Sequence, residues 1–252
     1  MSVTVVRWVA GAGGDTLFNL LIQSYPQAKS NVVAGQLQDN GRTDMSGATE
    51  LADANLLKVA LTPDVRNTIN LCDLEAAIND LKQSDTHWFI KSHMDIPGVD
   101  ASEVINLVPS EYTLPFIINA LVNKIPYIIQ DLLRPLNKLT NNYNINVYNI
   151  TEVLYTIITN SPNTNTILVD DLITDWQHLN KTLARFNFKL TENCKPYYTA
   201  WLSKNTQYFP SQTYKNYISN KNYNYKDPSL SLIESCCLLA ISKQLAATLK
   251  QL

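Results

Sequence analysis

The sequence lacks several patterns that mark common classes of protein. No apolar run approaches the ~20 residues that a bilayer-spanning helix needs, so we expect no membrane segment. The apolar N-terminal segment is interrupted by Arg7 and has no signal-peptide organisation. The formal net charge is only −2, which gives no support to nucleic-acid binding. We therefore expect a cytoplasmic protein with neither a membrane nor a nucleic acid as its partner.

Cysteines are equally sparse. The chain has four, and their spacing fits neither a metal site nor a disulfide framework: Cys72, Cys194, Cys236 and Cys237. The last two lie in an apolar helical segment and are expected to be buried free thiols. The sequence thus predicts a reduced environment and no metal cofactor.

What the sequence does contain is a succession of short apolar strands and amphipathic helices. Apolar residues make up 45% of the 252 residues, enough for a sizeable core. Strands are expected at 3–10, 31–35, 88–90, 104–108 and 166–169. Helices are expected at 15–22, 51–61, 73–82, 112–123, 125–139, 147–159, 175–187 and 229–249. This alternation, without an internal repeat or a linker, predicts one α/β domain over residues 1–252, with a loop-rich helical region from about 191.

Two segments are expected to be loops. The polar, glycine-containing stretch 36–46 is interpreted as a loop over the surface, although it could also cover a site near the first turn. The stretch 197–225 is rich in tyrosine and asparagine and contains several lysines. Its aromatic residues could line an acceptor pocket for an apolar or ring-bearing molecule, or simply pack together: Trp201, Tyr197, Tyr198, Tyr208 and Phe209.

The N-terminal strand runs directly into a glycine-rich turn and a helix. Gly11, Gly13 and Gly14 remove Cβ atoms where the chain turns sharply and where an anion could approach the backbone. The N–H groups at the start of the next helix would point toward that anion. The spacing matches neither a Walker loop nor a Gly-x-Gly-x-x-Gly dinucleotide turn. A phosphate or sulfate cradle and an ordinary tight turn are both open at this point.

A second informative segment follows the strand predicted at 88–90, which ends in Lys91-Ser92-His93. Residues just past the carboxyl end of a parallel strand face the ligand crevice of an open sheet. His93 could act there as a general base near neutral pH, and Lys91 could stabilise a developing negative charge. The alternative is a lysine and a histidine that are hydrogen-bonded in a surface turn.

Asp170 and Asp171 follow the last predicted strand and precede a helix. Paired carboxylates at a strand end could bind a metal or act as acid and base. More often such a pair caps the next helix, and capping is the favoured interpretation. The histidines His87 and His178 are isolated in the sequence and are expected to be surface or packing residues.

Four segments, in this order, resemble the P-loop sulfotransferase family, the enzymes that use 3′-phosphoadenosine 5′-phosphosulfate. Gly11-Ala12-Gly13-Gly14-Asp15-Thr16-Leu17 stands in the place of the family's 5′-phosphosulfate loop. Phe89-Ile90-Lys91-Ser92-His93-Met94 resembles the family's Lys-Thr/Ser-His-Leu-Pro segment. Residues 104–107 look like the strand before the 3′-phosphate site, and 167–172 are similar to the family's Glu-Asp-Leu strand end.

The resemblance implies a three-layer sandwich in which helices flank a central, mostly parallel sheet. It also implies transfer of a sulfuryl group from 3′-phosphoadenosine 5′-phosphosulfate to a hydroxyl or amine of a small-molecule acceptor. His93 and Lys91 would be the catalytic residues. The donor-binding residues would be those of the glycine turn and the first helical turn: Gly11, Ala12, Gly13, Gly14, Asp15, Thr16 and Leu17.

The sequence also departs from the family. Ala12 stands where the family's loop has a lysine, and no arginine follows the strand at 104–108. Asp15 replaces a hydroxyl residue, so its carboxylate must cap the helix or pair with a cation such as Arg7 or Lys91. Two alternatives therefore stay open. One is a nucleotide-dependent kinase, although a Walker lysine is missing. The other is a non-catalytic relative that binds an anion or a partner. The acceptor and the oligomeric state are left open.

Overall fold

A five-stranded parallel sheet forms the centre of the computed structural model, which describes residues 3–8, 11–45, 71–92, 96, 98–124 and 165–249. Its strands are β1 (Val3–Trp8), β2 (Lys29–Ser30), β5 (Trp88–Ser92), β6 (Val104–Val108) and β7 (Thr166–Leu168). The strand order is β2-β5-β1-β6-β7, with every pairing parallel. A separate antiparallel pair consists of β3 (Gln36–Leu37) and β4 (Thr43–Asp44).

The central position of β1 follows from its composition. Most of its residues are β-branched, and all are buried except Arg7, which is half-buried. This is expected of a strand covered on both faces. It pairs with β5 on one edge and with β6 on the other. The strand predicted at the N-terminus is therefore confirmed.

Eight α-helices accompany the strands in the described part of the chain. They are α1 (Gly14–Ser24), α2 (Leu71–Gln83), α3 (Leu114–Lys124), α4 (Val169–Thr174), α5 (Trp176–Ala184), α6 (Lys195–Asn205), α7 (Gln212–Asn220) and α8 (Leu232–Leu249). Within these described segments, no helix combines the length and the apolarity needed to cross a bilayer.

Helices cover both faces of the sheet. Val3 and Val5 of β1 point to one face, where they form a buried cluster with Ile78 of α2. Side chains of the alternate residues point to the other face, where the rings of Trp8 and Phe18 of α1 lie 6.2 Å apart. The sheet is thus the middle layer between helices, and the predicted α/β three-layer fold is confirmed.

By its internal contacts the chain divides into two units. The first comprises Met1–Val9, Gly13–Val108 and Pro162–Asn205 and contains the parallel sheet. The second comprises Ala10–Ala12, Pro109–Ser161 and Thr206–Leu252. The single-domain arrangement stays a prediction.

The second unit has its own apolar contacts and a buried carboxylate. The rings of Phe116 and Phe209 lie 5.6 Å apart. Buried Glu234 accepts the N–H of Ser211 at 2.7 Å and that of Ser231 at 2.9 Å. One side chain therefore satisfies backbone donors at the starts of both α7 and α8, which would otherwise lack partners.

The strand predicted at 31–35 is wrong, because β2 ends at Ser30. The Asn31 side chain continues the hydrogen bonding of β2 to β5 beyond the end of β2. Its Oδ1 accepts the Lys91 N–H at 2.8 Å, and its Nδ2 donates to the Lys91 carbonyl at 3.2 Å. A side-chain amide has the same donor and acceptor as a peptide group, so it can replace one rung of a sheet.

Both predicted loops are also corrected. The stretch 36–46 contains the β3–β4 hairpin, and Thr43 in it is buried. The stretch 197–225 contains most of α6 and all of α7. The helices predicted at 51–61, 125–139 and 147–159 lie outside the described residues, as does His93.

Candidate functional site

The glycine turn ends in a left-handed residue that starts α1. Gly13 has φ +80° and is the N-cap of α1, and no side chain caps this end of the helix among the described residues. The Gly13 carbonyl accepts the N–H of Thr16 at 3.0 Å and that of Leu17 at 3.2 Å. The N–H groups of Gly14 and Asp15 precede these bonds and lie at the positive end of the helix dipole. This is the geometry that binds anions at helix N-termini.

Gly14 allows the turn to lie directly on the Trp8 ring. A Cβ at this position would overlap the indole ring, so the glycine is required by packing. A Cβ on Gly13 would lie 3.0 Å from both Leu172 Cδ2 and Trp201 Cζ2. Gly13 and Gly14 are therefore packed against side chains of β1, α4 and α6.

Asp15 forms an ion pair with Lys91, whose Nζ contacts the Asp15 Oδ1. The side chains are 26% and 16% exposed, so solvent screens this pair only in part. The Lys91 ammonium also lies 5.6 Å from the centre of the Trp8 ring, within the range of a cation–π contact. The pairing with a cation that the sequence required of Asp15 is thus provided by Lys91.

Arg7, the other proposed partner of Asp15, points away from α1. It is an odd-numbered residue of β1 and so shares a face with Val3 and Val5. Its Nε donates to the Asn106 Oδ1 at 2.7 Å, and burial lowers the pKa of the guanidinium below its usual value. Arg7 therefore belongs to the opposite face of the sheet.

A chain of hydroxyl groups lies beneath the first turn of α1. The Thr16 Oγ1 is 2.7 Å from the Thr43 Oγ1, which is 2.6 Å from the Tyr197 hydroxyl. Burial raises the pKa of the Tyr197 phenol, and hydrogen bonds from the neighbouring side chains offset part of this increase. Thr16 is 1% exposed, and its hydrogen bond with Thr43 joins the first turn of α1 to the β3–β4 hairpin.

The structure brings together part of the predicted site. Thr16 and Leu17 are buried, and Gly14 lies against Trp8, next to the pair formed by Asp15 and Lys91. Gly11, with φ +84°, and fully buried Ala12 are in the neighbouring positions of the turn. Among the described residues, only Asp15 and Lys91 therefore have charged side chains at the predicted site. The other residues of the turn could contact an anion only through their backbone N–H groups.

Sequence reasoning missed the side chains that fix the surroundings of this pair. Asn31 holds the backbone of Lys91, and Asn19 holds Gly35 through bonds of 2.9 and 3.1 Å. Asparagine just after a short strand, as at Asn31, is the only sequence signal that points to such a side-chain rung.

A cavity of about 730 Å³ lies in the segment between β2 and β4. It is lined by residues 33–40 and by Asp44, most of them polar. Among the described lining residues there is none of the predicted site residues. The segment that sequence analysis placed on the surface as a loop therefore contributes most of the described lining of a cavity.

Of the paired aspartates, Asp171 acts as the capping interpretation predicts. The Asp171 Oδ2 accepts the Leu168 N–H at 3.0 Å, at the start of α4, and its Oδ1 lies 2.7 Å from His178 Nε2. His178 is 44% exposed, as predicted of a surface residue, and it is bound to Asp171. No group of three or more metal-ligating side chains occurs in the part of the chain that the structure describes.

Two of the aromatic residues of 197–201, Tyr198 and Trp201, belong to the core. Tyr198 and Trp201 are 1% and 2% exposed, and the Tyr198 hydroxyl donates to the Leu172 carbonyl at 2.8 Å. These two rings therefore pack within the first unit and do not line an open acceptor pocket.

The chain matches no protein-family model, no curated protein and no solved structure. The candidate site is the N-terminus of α1 together with the Asp15–Lys91 pair, and it is defined by the structure alone.

Proposed function

We propose that the chain is a sulfotransferase, which moves a sulfuryl group from 3′-phosphoadenosine 5′-phosphosulfate to a hydroxyl or amine of a small-molecule acceptor. One observation supports this most directly. The glycine turn and the Lys-Ser-His segment, which resemble two separate parts of the family's site, are joined by the Asp15–Lys91 contact across 76 residues of sequence.

The residues at the turn fit the anionic end of the donor. Gly13, which is half-buried, has no side chain to keep an oxyanion from its backbone, whereas Gly14 is buried against Trp8. The first N–H groups of α1 point outward from the helix. The carboxylate of Asp15 opposes an anion, but Lys91 balances its charge. When bound, the donor supplies an activated sulfuryl group.

The remaining roles fall to two side chains. Lys91 would stabilise the negative charge that develops near the turn, which is an electrostatic contribution made without new reorganisation of solvent. His93 would take the proton of the acceptor hydroxyl or amine, a step worth roughly 10²- to 10⁴-fold in rate. Because Lys91 already contacts Asp15, an arriving anion competes with the carboxylate for the ammonium.

This competition gives the proposal a test with two opposite outcomes. We expect Lys91→Met to weaken binding of 3′-phosphoadenosine 5′-phosphate by roughly tenfold or more, about 1.4 kcal/mol. We expect Asp15→Asn to strengthen it by roughly fivefold, because Lys91 then has no competing carboxylate. Isothermal titration calorimetry near neutral pH measures both changes.

Gln23→Ala is the matched control, since Gln23 is exposed on the same helix and should leave the affinity unchanged. Equal affinities in all four proteins would separate the Asp15–Lys91 pair from the anion. A response to ATP with magnesium in place of the 3′-phosphorylated nucleotide would indicate a kinase.

The Asp15–Lys91 pair also favours a second candidate, a non-catalytic protein that keeps the anion-binding turn. A lysine that is neutralised in the resting state is less available for chemistry than the loop lysine that Ala12 replaces. Binding of the nucleotide without any sulfuryl transfer to a panel of phenols, alcohols and amines would support this candidate.

A further inference from the structure

The cavity between β2 and β4 has the size of a small-molecule site. Its volume of about 730 Å³ lies within the range of ~300–1,000 Å³ typical of ligand pockets. The described residues that line it are 33–40 and 44. A cavity of this volume has room for a drug-sized molecule and so also admits a mono- or disaccharide.

The cavity wall is anchored to the same two elements that form the ion pair. Asn31 holds the Lys91 backbone by bonds of 2.8 and 3.2 Å. Four residues later, Gly35 exchanges bonds of 2.9 and 3.1 Å with Asn19. Asn19 follows Asp15 by four residues on α1, so the two side chains lie on one face of the helix. The lining at Gly35 thus begins about one helical turn from the Asp15–Lys91 pair.

The hairpin that forms the cavity is fixed in place. Thr43 bonds Thr16 at 2.7 Å, and Asn205 donates to the Gly41 carbonyl at 3.0 Å. The Lys204 Nζ donates to the Gln38 carbonyl at 3.2 Å. Three contacts from two helices hold a short hairpin that would be marginal by itself, so the cavity is preformed.

The lining selects for one kind of ligand. It contains amides and carboxylates, namely Gln36, Gln38, Asp39, Asn40 and Asp44. Among these lining residues, all of them described, none is lysine or arginine and none is aromatic. Carboxylates and amide oxygens accept bonds from hydroxyl and ammonium groups. The Asp39 carboxylate is paired with the Lys204 ammonium at 3.1 Å, which offsets part of the negative charge, and the remaining carboxylate charge disfavours anions. None of these described lining residues provides a ring on which a phenol could stack.

We propose that this cavity binds the acceptor, and that the acceptor is a neutral or cationic molecule rich in hydroxyl groups, such as an amino sugar. The description of this ligand as the acceptor rests on the proposed sulfotransferase function, whereas its binding does not. The anionic donor and the acceptor then occupy surfaces of opposite charge preference, joined by the segment 31–35.

Titration by amide proton–nitrogen correlation NMR, without any nucleotide, tests the site. The probes are glucosamine, glucose, phenol and gluconate. We expect glucosamine to shift the amide signals of 36–44 saturably, with glucose weaker and with phenol and gluconate inactive. Asp44→Asn should reduce the glucosamine affinity roughly fivefold, because one of two carboxylates is lost.

Asp85→Asn is the control, since Asp85 is an exposed carboxylate outside the lining. Gln36→Leu, at an exposed lining position, provides a second variant that should weaken both sugars. The proposal is overturned if no probe saturates the signals of 36–44, if phenol or gluconate binds best, or if Asp44→Asn behaves as Asp85→Asn does.

A parallel titration with 3′-phosphoadenosine 5′-phosphate separates the two proposals, because it should shift the amides of Gly13–Thr16 instead. Glucosamine binding without nucleotide binding leaves the cavity site standing and removes the proposed sulfotransferase function. Nucleotide binding without sugar binding does the reverse.

Discussion

Trp8 contacts both the first turn of α1 and the Lys91 side chain of the candidate site. Its ring, 4% exposed, lies against Gly14 and Phe18 and within 5.6 Å of the Lys91 ammonium. The sequence predicted that the glycines serve a turn and an anion. At Gly14 the structure adds a packing requirement, because the first turn of α1 touches the indole directly. Such a requirement depends on where β1 and α1 meet, so no local pattern could reveal it.

Gly14→Ala tests this packing requirement. The added methyl must displace the buried Trp8 ring, and overpacking of this kind typically destabilises a protein by about 1–3 kcal/mol. Urea unfolding followed by circular dichroism measures the change. Gln23→Ala, on the exposed face of the same helix, should alter stability by no more than about 0.5 kcal/mol. A Gly14→Ala protein as stable as this control would contradict the close approach of turn and ring.

Among the helices and strands, α5 is one that the local sequence pattern predicted correctly. The sequence predicted a helix at 175–187, and the structure has the shorter α5 at Trp176–Ala184, with Asp175 as its N-cap. The Asp175 Oδ1 accepts the His178 N–H at 2.8 Å, and Trp176, Leu179 and Leu183 are buried. The capping residue and the apolar spacing both favour a helix in this segment, so the local sequence is sufficient to predict it.

Asp175→Ala should therefore destabilise the protein by about 1 kcal/mol, since the N–H of His178 loses its acceptor. Asp175→Ser keeps a capping oxygen and should restore most of that loss. Asp80→Ala removes an exposed aspartate from within α2 and controls for the charge. Chemical denaturation of the four proteins measures the differences, and an equal loss from Asp80→Ala would point to charge instead of capping.

Helix α6 shows why other elements were missed. Its buried residues Tyr198, Trp201 and Asn205 follow helical spacing, but the last is polar and so interrupts the apolar stripe. Asn205 is buried because its amide donates to the carbonyls of Gly41 and Trp201. The fold of the sheet came from strong local periodicity. The surroundings of the site depend on asparagine and hydroxyl contacts between distant segments, which only the tertiary structure defines.

At the scale of the molecule, both units bury tyrosines whose hydroxyl groups bind backbone carbonyls. Tyr198 donates to Leu172 at 2.8 Å in the first unit, and Tyr214 donates to Glu111 at 2.6 Å in the second. Burial raises the pKa of each phenol well above its ordinary value of 10.0. In the second unit, burial also raises the pKa of the Cys236 thiol, to about 11.

These shifts predict a loss of stability at alkaline pH. A group whose pKa is higher in the folded state stays protonated there while the unfolded chain releases its proton, so stability falls as pH rises above the unfolded pKa. For Tyr214 this window begins near pH 10 and extends toward its folded pKa, with a slope of about 1.4 kcal/mol per pH unit. Buried thiols such as Cys236 begin to contribute earlier, so the comparison must be made between variants.

Tyr214→Phe removes one such group and should reduce the alkaline slope of the unfolding free energy by about 1.4 kcal/mol per pH unit above pH 10. At neutral pH the same variant should lose only the hydrogen bond to Glu111, about 1 kcal/mol. Tyr225→Phe, which changes a partly exposed tyrosine of the same unit, is the matched control. Urea unfolding at about pH 8 and about pH 11 measures both quantities. Identical alkaline slopes in the two variants would mean that Tyr214 ionises in the folded state as readily as in the unfolded chain.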